Sequence, residues 1–276
     1  MGADTLAQAM AAVSATRADM AMHWLYDIPD WLLAVLVVAT TVGLSVGGFI
    51  ATRPLRSRTA NDVASALLAA VSLVHGILLA LVAVAAWGNY TAAGDAAERE
   101  AAALANMFRQ FDGYPEPARQ RLQARLRAYL ELLIGEEWPA LQRGQTGERT
   151  AEARDALARE WATFDPKAGR EQVLYAATAR EVEAFLDARR ARLAAGGAGL
   201  PVSLWVVALL GAALTIGCTY LFRMEDARVQ LLMTSTLAAS LGLVIYLILV
   251  LDHPIWGTQG LSPRPFVDVL QSLAGR

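Results

Sequence analysis

Charge is scarce in this chain. Only 18% of its 276 residues carry a formal charge, 55% are hydrophobic, and the mean hydropathy is +0.36, too apolar for a soluble protein of this size. Cysteine is nearly missing: Cys218 stands alone, so there is no disulfide framework and no redox compartment to read from thiols. The 24 basic residues include a single lysine, Lys167, and are outnumbered by 26 acidic ones. A net charge of −2 offers no basic footprint for nucleic acid. No Walker loop, HExxH, CxxC or GxSxG occurs, and the three histidines, His23, His75 and His253, are scattered; neither catalysis nor a resident metal or cofactor is expected. The opening "MGADTLAQAMAAVSATRADM" has no basic segment followed by an apolar one, which argues against a cleaved signal peptide. Leu6 stands where N-myristoylation needs Ser or Thr.

Long hydrophobic runs are what the chain has in quantity. A hydrocarbon core about 30 Å thick takes about 20 apolar helical residues to cross. Residues 31–51, 63–87, 200–222 and 229–251 all meet that length without one Asp, Glu, Lys or Arg. Backbone in lipid must satisfy its own hydrogen bonds, so each run is expected to be a helix. The order is then a tail (1–30), a membrane hairpin (31–87), a charged extramembrane region (88–199), a second hairpin (200–251) and a C-terminal tail (252–276). Leu6, Met10, Val13, Met20 and Trp24 recur at nearly helical spacing, interrupted by Arg17, which suggests an interfacial helix in the first tail. Trp24, Tyr26, Trp31, Trp87, Tyr90 and Trp256 sit where an aromatic belt belongs.

The charged region reads as helices throughout. Ala97, Ala101, Leu104, Phe108 and Phe111 form a stripe on a helix running out of the second span, which Gly113, Pro115 and Pro117 break. Leu122, Leu126, Tyr129 and Leu133 form another, expected to end at "EEWP" because Pro139 disfavours helical geometry at Trp138. Leu157, Trp161 and Phe164 mark a third; Tyr175, Ala179, Val182, Leu186, Arg189 and Leu193 mark a fourth, closed by "GGAG". No stretch alternates as a strand does, so the class is an all-α membrane protein with a helical extramembrane bundle. Gly43 and Gly47 make a GxxxG, and Ser65, Ala69, Ser72, Gly76, Ala80 and Ala83 put a small-residue face on the second span; both are candidates for helix packing.

The stretches "NDVASALL" and "WGNYTAAGDAAEREAAALANMFR" around the second span, then "RLRAYLELLIGEEWP" and "LDHPIWG…LSPRPF", resemble the bestrophin-like family of membrane proteins from about Trp31 to Phe266. The resemblance implies a homopentameric, anion-conducting channel in the inner (plasma) membrane, with chloride as a possible ion and two hairpins flanking helices. It also implies that the second span lines the pore. No dense acidic cluster matches the bestrophin calcium clasp, and His75 stands where family members often carry an aromatic residue.

His75 lies near the middle of its run. An ionised group facing lipid at that depth costs roughly 3 kcal/mol or more, so the ring should face helices or water. Two roles compete: a neutral imidazole hydrogen-bonded to Ser72, Thr215 or Thr234 that pins the bundle, or one of several symmetry-related rings around a pore flanked by Leu68, Val71, Leu78 and Val82. In the second case acid should raise anion conductance. Glu98 and Glu100 on the emerging helix are candidates for a vestibule wall. Glu136 and Glu137 read as a solvated helix end, and Asp252 and His253 as an interfacial one stopped by Pro254. Arg53, Arg56 and Arg58 read as topogenic charges; they place the charged region outside, whereas the bestrophin likeness places it in the cytoplasm. The rival to a channel is a membrane-anchored sensor or interaction protein without transport.

Overall fold

The computed structural model describes residues 23–274 apart from 53–60, 146, 168, 198, 223–225, 258 and 259. Of the stripe expected in the first tail, Leu6, Met10, Val13 and Met20, with Arg17, therefore lie outside the described residues, as do the charges Arg53, Arg56 and Arg58. Those described are helical and contain no strand. After a short 3-10 turn (His23–Asp27) come α1 (Asp30–Ala51), α2 (Asn61–Phe111), α3 (Ala118–Leu132), a π turn (Leu133–Glu137), α4 (Trp138–Gln142) and α5 (Glu148–Ala162). They are followed by α6 (Arg170–Gly197), α7 (Val202–Thr219), α8 (Ala227–Asp252) and α9 (Arg264–Ala274). Among the described residues, four helical stretches are long and apolar enough to cross a membrane, those of α1, α2, α6–α7 and α8.

The chain divides into two units. One comprises Met1–Gly88 with Gly199–Asp252, the other Asn89–Ala198 with His253–Arg276. In the first, the membrane unit, lipid-soluble side chains gain nothing by leaving lipid for a helix surface, so contacts depend on close fit. Gly242 of α8 gives that fit to α1: a Cβ there would strike the Thr41 hydroxyl and lie 3.3 Å from the Val38 Cα. Tyr220, capping α7, covers Gly48, where a Cβ would sit 2.6 Å from its hydroxyl, and donates to the Ser45 carbonyl at 2.7 Å. Asp252, closing α8, accepts the Leu200 amide just before α7 and the Trp205 indole N–H (3.0 Å) within its first turns, which ties the two helix ends together. Among the glycines expected at helix contacts, Gly43, Gly47 and Gly76 have nothing within 4 Å of a built Cβ, and Ser72 is half-buried. Close approach inside the chain runs through Gly48, Gly211 and Gly242 instead.

The second, charged unit buries the stripes read from the sequence. Ala97, Ala101, Leu104, Phe108 and Phe111 of α2 meet Leu122, Leu126, Tyr129 and Leu133 in one core, joined by Leu157, Val182, Phe185, Ile255 and Phe266. The expected stop at "EEWP" is corrected: α3 runs on through the π turn into α4. Widening to i→i+5 bonding accommodates a proline that lacks the N–H and whose ring crowds the preceding turn. The same turn brings Glu137 inward to 1% exposure, so only Glu136 behaves as the solvated residue expected of both, pairing with Arg149.

Candidate ion path and a buried charge network

Within the membrane unit α2 has two unlike faces. Ala64, His75, Leu79, Val82 and Ala86, spaced by threes, fours and their sums, are buried in the chain, as one stripe of a straight helix must be. On the opposite face Leu73 is 65% exposed, Ile77 55% and Val84 69%, with Ala66 and Ala80 on the same face also exposed. The stripe proposed for a pore from the sequence falls mostly on the first face: His75 and Val82 are buried, Leu68 and Val71 half-buried, and Leu78 exposed.

His75 meets α7. Its ring lies over Gly211 so closely that any Cβ at 211 would collide with it. Neither Nδ1 nor Nε2 has a hydrogen-bond partner. The pinning bond expected from Thr215 or Thr234 is not made, because the Thr215 hydroxyl donates to the Gly211 carbonyl at 2.8 Å and that of Thr234 engages Thr219 at 3.2 Å. No bond to Ser72 replaces it.

In the charged unit four ionic side chains and one phenol form a closed set. Arg189 of α6 holds Glu137 with two parallel bonds, Nη1 to Oε1 at 2.9 Å and Nη2 to Oε2 at 2.7 Å. Arg192, one turn on, donates from Nε to Glu100 Oε2 at 2.6 Å and from Nη2 to Glu137 Oε1 at 2.7 Å. The Tyr129 hydroxyl donates to Glu100 at 2.6 Å and accepts from Arg189 at 2.7 Å. Arg192 also lies over the rings of Trp138 and Phe266, 5.4 and 5.6 Å from their centroids. Two carboxylates and two guanidiniums balance to zero, which is how a core tolerates charge. Burial alone would push the Glu137 carboxyl up, but the bonds from Arg189 and the charges of Arg192 and Arg189 outweigh it and hold the group below its ordinary range. Burial, then the neighbouring Glu100, pushes the Tyr129 phenol well above its own.

Of the two vestibule candidates, Glu98 is exposed whereas Glu100 is fully buried and committed to Arg192. Arg189 falls on an apolar stripe, the one sequence signal of a buried guanidinium; its partners, Glu100, Glu137 and Tyr129, lie far apart in sequence, and nothing along the chain pairs them with it. His253 stacks on Trp256 with centroids 3.7 Å apart. Among the described residues no group of three or more His, Cys, Asp or Glu is placed to hold a metal ion.

A model of the bestrophin-like domain matches residues 34–266. No curated protein sequence matches the chain. Among solved structures, a bacterial bestrophin homologue from Klebsiella pneumoniae, determined as a point variant, is similar over 88% of this chain and 99% of its own, at 12% identity and a TM-score of 0.65. A membrane protein, also solved as a variant, is similar over 88% and 97%, at 13% identity and a TM-score of 0.64. Identities this low establish the shared fold, while the family match extends over most of the sequence, from within α1 to the start of α9: the chain belongs to the bestrophin-like family.

Proposed function

We propose that the protein is the subunit of a homopentameric, anion-selective channel of the inner (plasma) membrane, with α2 lining the path and chloride as a candidate ion. What carries the proposal is the face of α2 opposite His75. Leu73, Ile77 and Val84 are all more than half exposed and share their face with the small Ala66 and Ala80, so symmetry copies of this face can approach an axis and leave a narrow apolar neck that opens by wetting. The family and the fold support a bestrophin-type channel; ion preference and the lining face are this proposal's own. Leu68, Val71, His75, Leu78 and Val82 lie on the other side of the helix and back that face. Glu98 stands at the emerging end as a vestibule charge.

The rival, a membrane-anchored sensor or interaction protein, draws on one observation: the most polar side chain of the second span is buried against Gly211 of its own protomer. Proteoliposomes separate the two. Chloride efflux from the purified protein, raised several-fold by Ile77→Ser, is expected of a wetting neck. An intact oligomer with no flux in either form would leave the anchor as the function.

A further inference from the structure

We infer that neighbouring copies of the chain meet edge to edge along α2, with Glu98 of one copy paired to Arg99 of the next. The inference rests on the reading of α2 helices gathered around an axis. Consecutive residues of a helix point about 100° apart, so Glu98 and Arg99 stand on either side of the face that carries Leu73, Ile77 and Val84. Both are exposed, and neither has an ion-pair partner among the described residues. The two edges of the helix also differ within the span. On the Glu98 edge lie small residues, Ala69 and Gly76, with Ala80 where the edge meets the face, all exposed; Gly76 has nothing within 4 Å of a built Cβ. On the Arg99 edge lie Val63, Val74 and Leu81, which are 62%, 60% and 62% exposed. Small thus opposes large across the span, and acid opposes base beyond it. Unlike, complementary edges are what a cyclic assembly needs, because each copy offers one edge to the copy before it and the other to the copy after. Small residues let helix backbones approach in lipid, and the branched side chains of the next copy fill the space they leave.

In the charged unit the Arg99 edge opens into a cleft of about 520 Å³ between α2 and α6. Its lining is largely alanine, Ala102 and Ala103 of α2 with Ala184, Ala188 and Ala191 of α6, which leaves room for a neighbour's helix to lie against it. The carboxylates at its rim are engaged within the chain: Glu181 accepts from the Asn106 amide at 3.2 Å, and Asp187 pairs with Arg190. Arg99 is therefore the charge in the cleft that an incoming carboxylate meets, and α2 of the next copy supplies Glu98. The pairing also relieves an anion path of one ring of carboxylates.

Cross-linking of the full-length protein in membranes tests the contact, in a Cys218→Ala background that removes the one native cysteine. Glu98→Cys with Arg99→Cys is expected to oxidise into a ladder of covalent species up to the closed ring, whereas either single variant should give dimer at most. The two cysteines of one chain do not compete, since consecutive Cα atoms about 3.8 Å apart fall short of disulfide spacing. Glu148→Cys with Arg149→Cys, an exposed pair of the same spacing on α5, should give no ladder. Charge exchange is the second readout, taken on the purified protein at low salt. Glu98→Arg or Arg99→Glu should lower the fraction of particles at the intact mass several-fold, and the double exchange should restore it. A particle of one protomer's mass would overturn the inference and the channel reading together. An intact oligomer without the ladder, or reversals that the double exchange does not rescue, would overturn the inference alone. A ladder without chloride flux would uphold the contact and overturn the channel.

Discussion

The two units bury polar side chains under opposite conditions. In the charged unit, Glu100, Glu137, Arg189, Arg192 and Tyr129 are buried together and satisfy one another almost completely, leaving only Arg189 Nε and Arg192 Nη1 without a partner. In the membrane unit His75 is buried alone, with neither nitrogen engaged. One helix, α2, supplies both Glu100 and His75, so the contrast comes from what surrounds each position. Around Glu100, α3, the π turn and α6 bring guanidiniums and a phenol; around His75, α7 brings glycine and aliphatic side chains. The ionic set meets its needs from within its own unit, whereas the solitary imidazole is sealed against Gly211 with neither nitrogen bonded.

The contrast can be broken hardest at Arg192. Arg192→Met leaves Glu100 without its principal partner in a dry core, and a loss of about 3–5 kcal/mol is expected from removing one member of a buried ionic set. Thermal unfolding in detergent, followed by circular dichroism, measures it; a loss below about 1 kcal/mol would mean that the set contributes no more than surface pairs do. Simultaneous replacement of Glu100, Glu137, Arg189 and Arg192 by apolar residues of similar volume should cost less than the single change, because no charge is then stranded.

Acid tests the same set without mutation. The folded-state carboxyl of Glu137 is held below its ordinary value of 4.5, so its contribution is fully present above about pH 4.5 and is lost as the pH falls through the lower folded value. Unfolding midpoints measured from pH 6 downward should therefore decline on the acid side, and Glu137→Gln should flatten part of that decline.

In the membrane unit the corresponding position is Gly211. Gly211→Ala forces a methyl group into the His75 ring, with an expected cost of about 1–3 kcal/mol as an overpacked contact. Gly43→Ala meets nothing within 4 Å and should stay within about 0.5 kcal/mol. Equal losses at the two sites would show that Gly43 is also covered in the assembled protein. The smallest effect is expected at the exposed pair Arg149–Glu136, whose side chains are 70% and 42% accessible: Arg149→Ala should change stability by about 0–1 kcal/mol, less in high salt.

Much of this is legible in the sequence. The stripes Ala97 to Phe111 and Leu122 to Leu133 are buried as their spacing requires, since periodicity is local and a helix repeats it faithfully. Pro139 misled: the rule against helix before proline was overridden by a π turn that proline chemistry permits but does not announce. Glu137 followed it inward. Gly43 and Gly47 carry the sequence pattern of a helix contact, while within the single chain the close approaches fall at Gly48, Gly211 and Gly242, because which face of a span meets another helix depends on its neighbours, and α8 is nearly two hundred residues from α1 in sequence.

By itself the sequence determined that the chain is helical, crosses lipid and carries a charged helical bundle between two hairpins. Those are consequences of run length, periodicity and the need for backbone in lipid to bond within its own segment. Only the tertiary structure decided that Arg189 and Arg192 neutralise Glu100 and Glu137, and that His75 turns to Gly211. Such pairings join residues dozens to more than a hundred positions apart, and a side chain's partner is set by which helix packs against it, a property of distance in space that spacing along the chain does not encode.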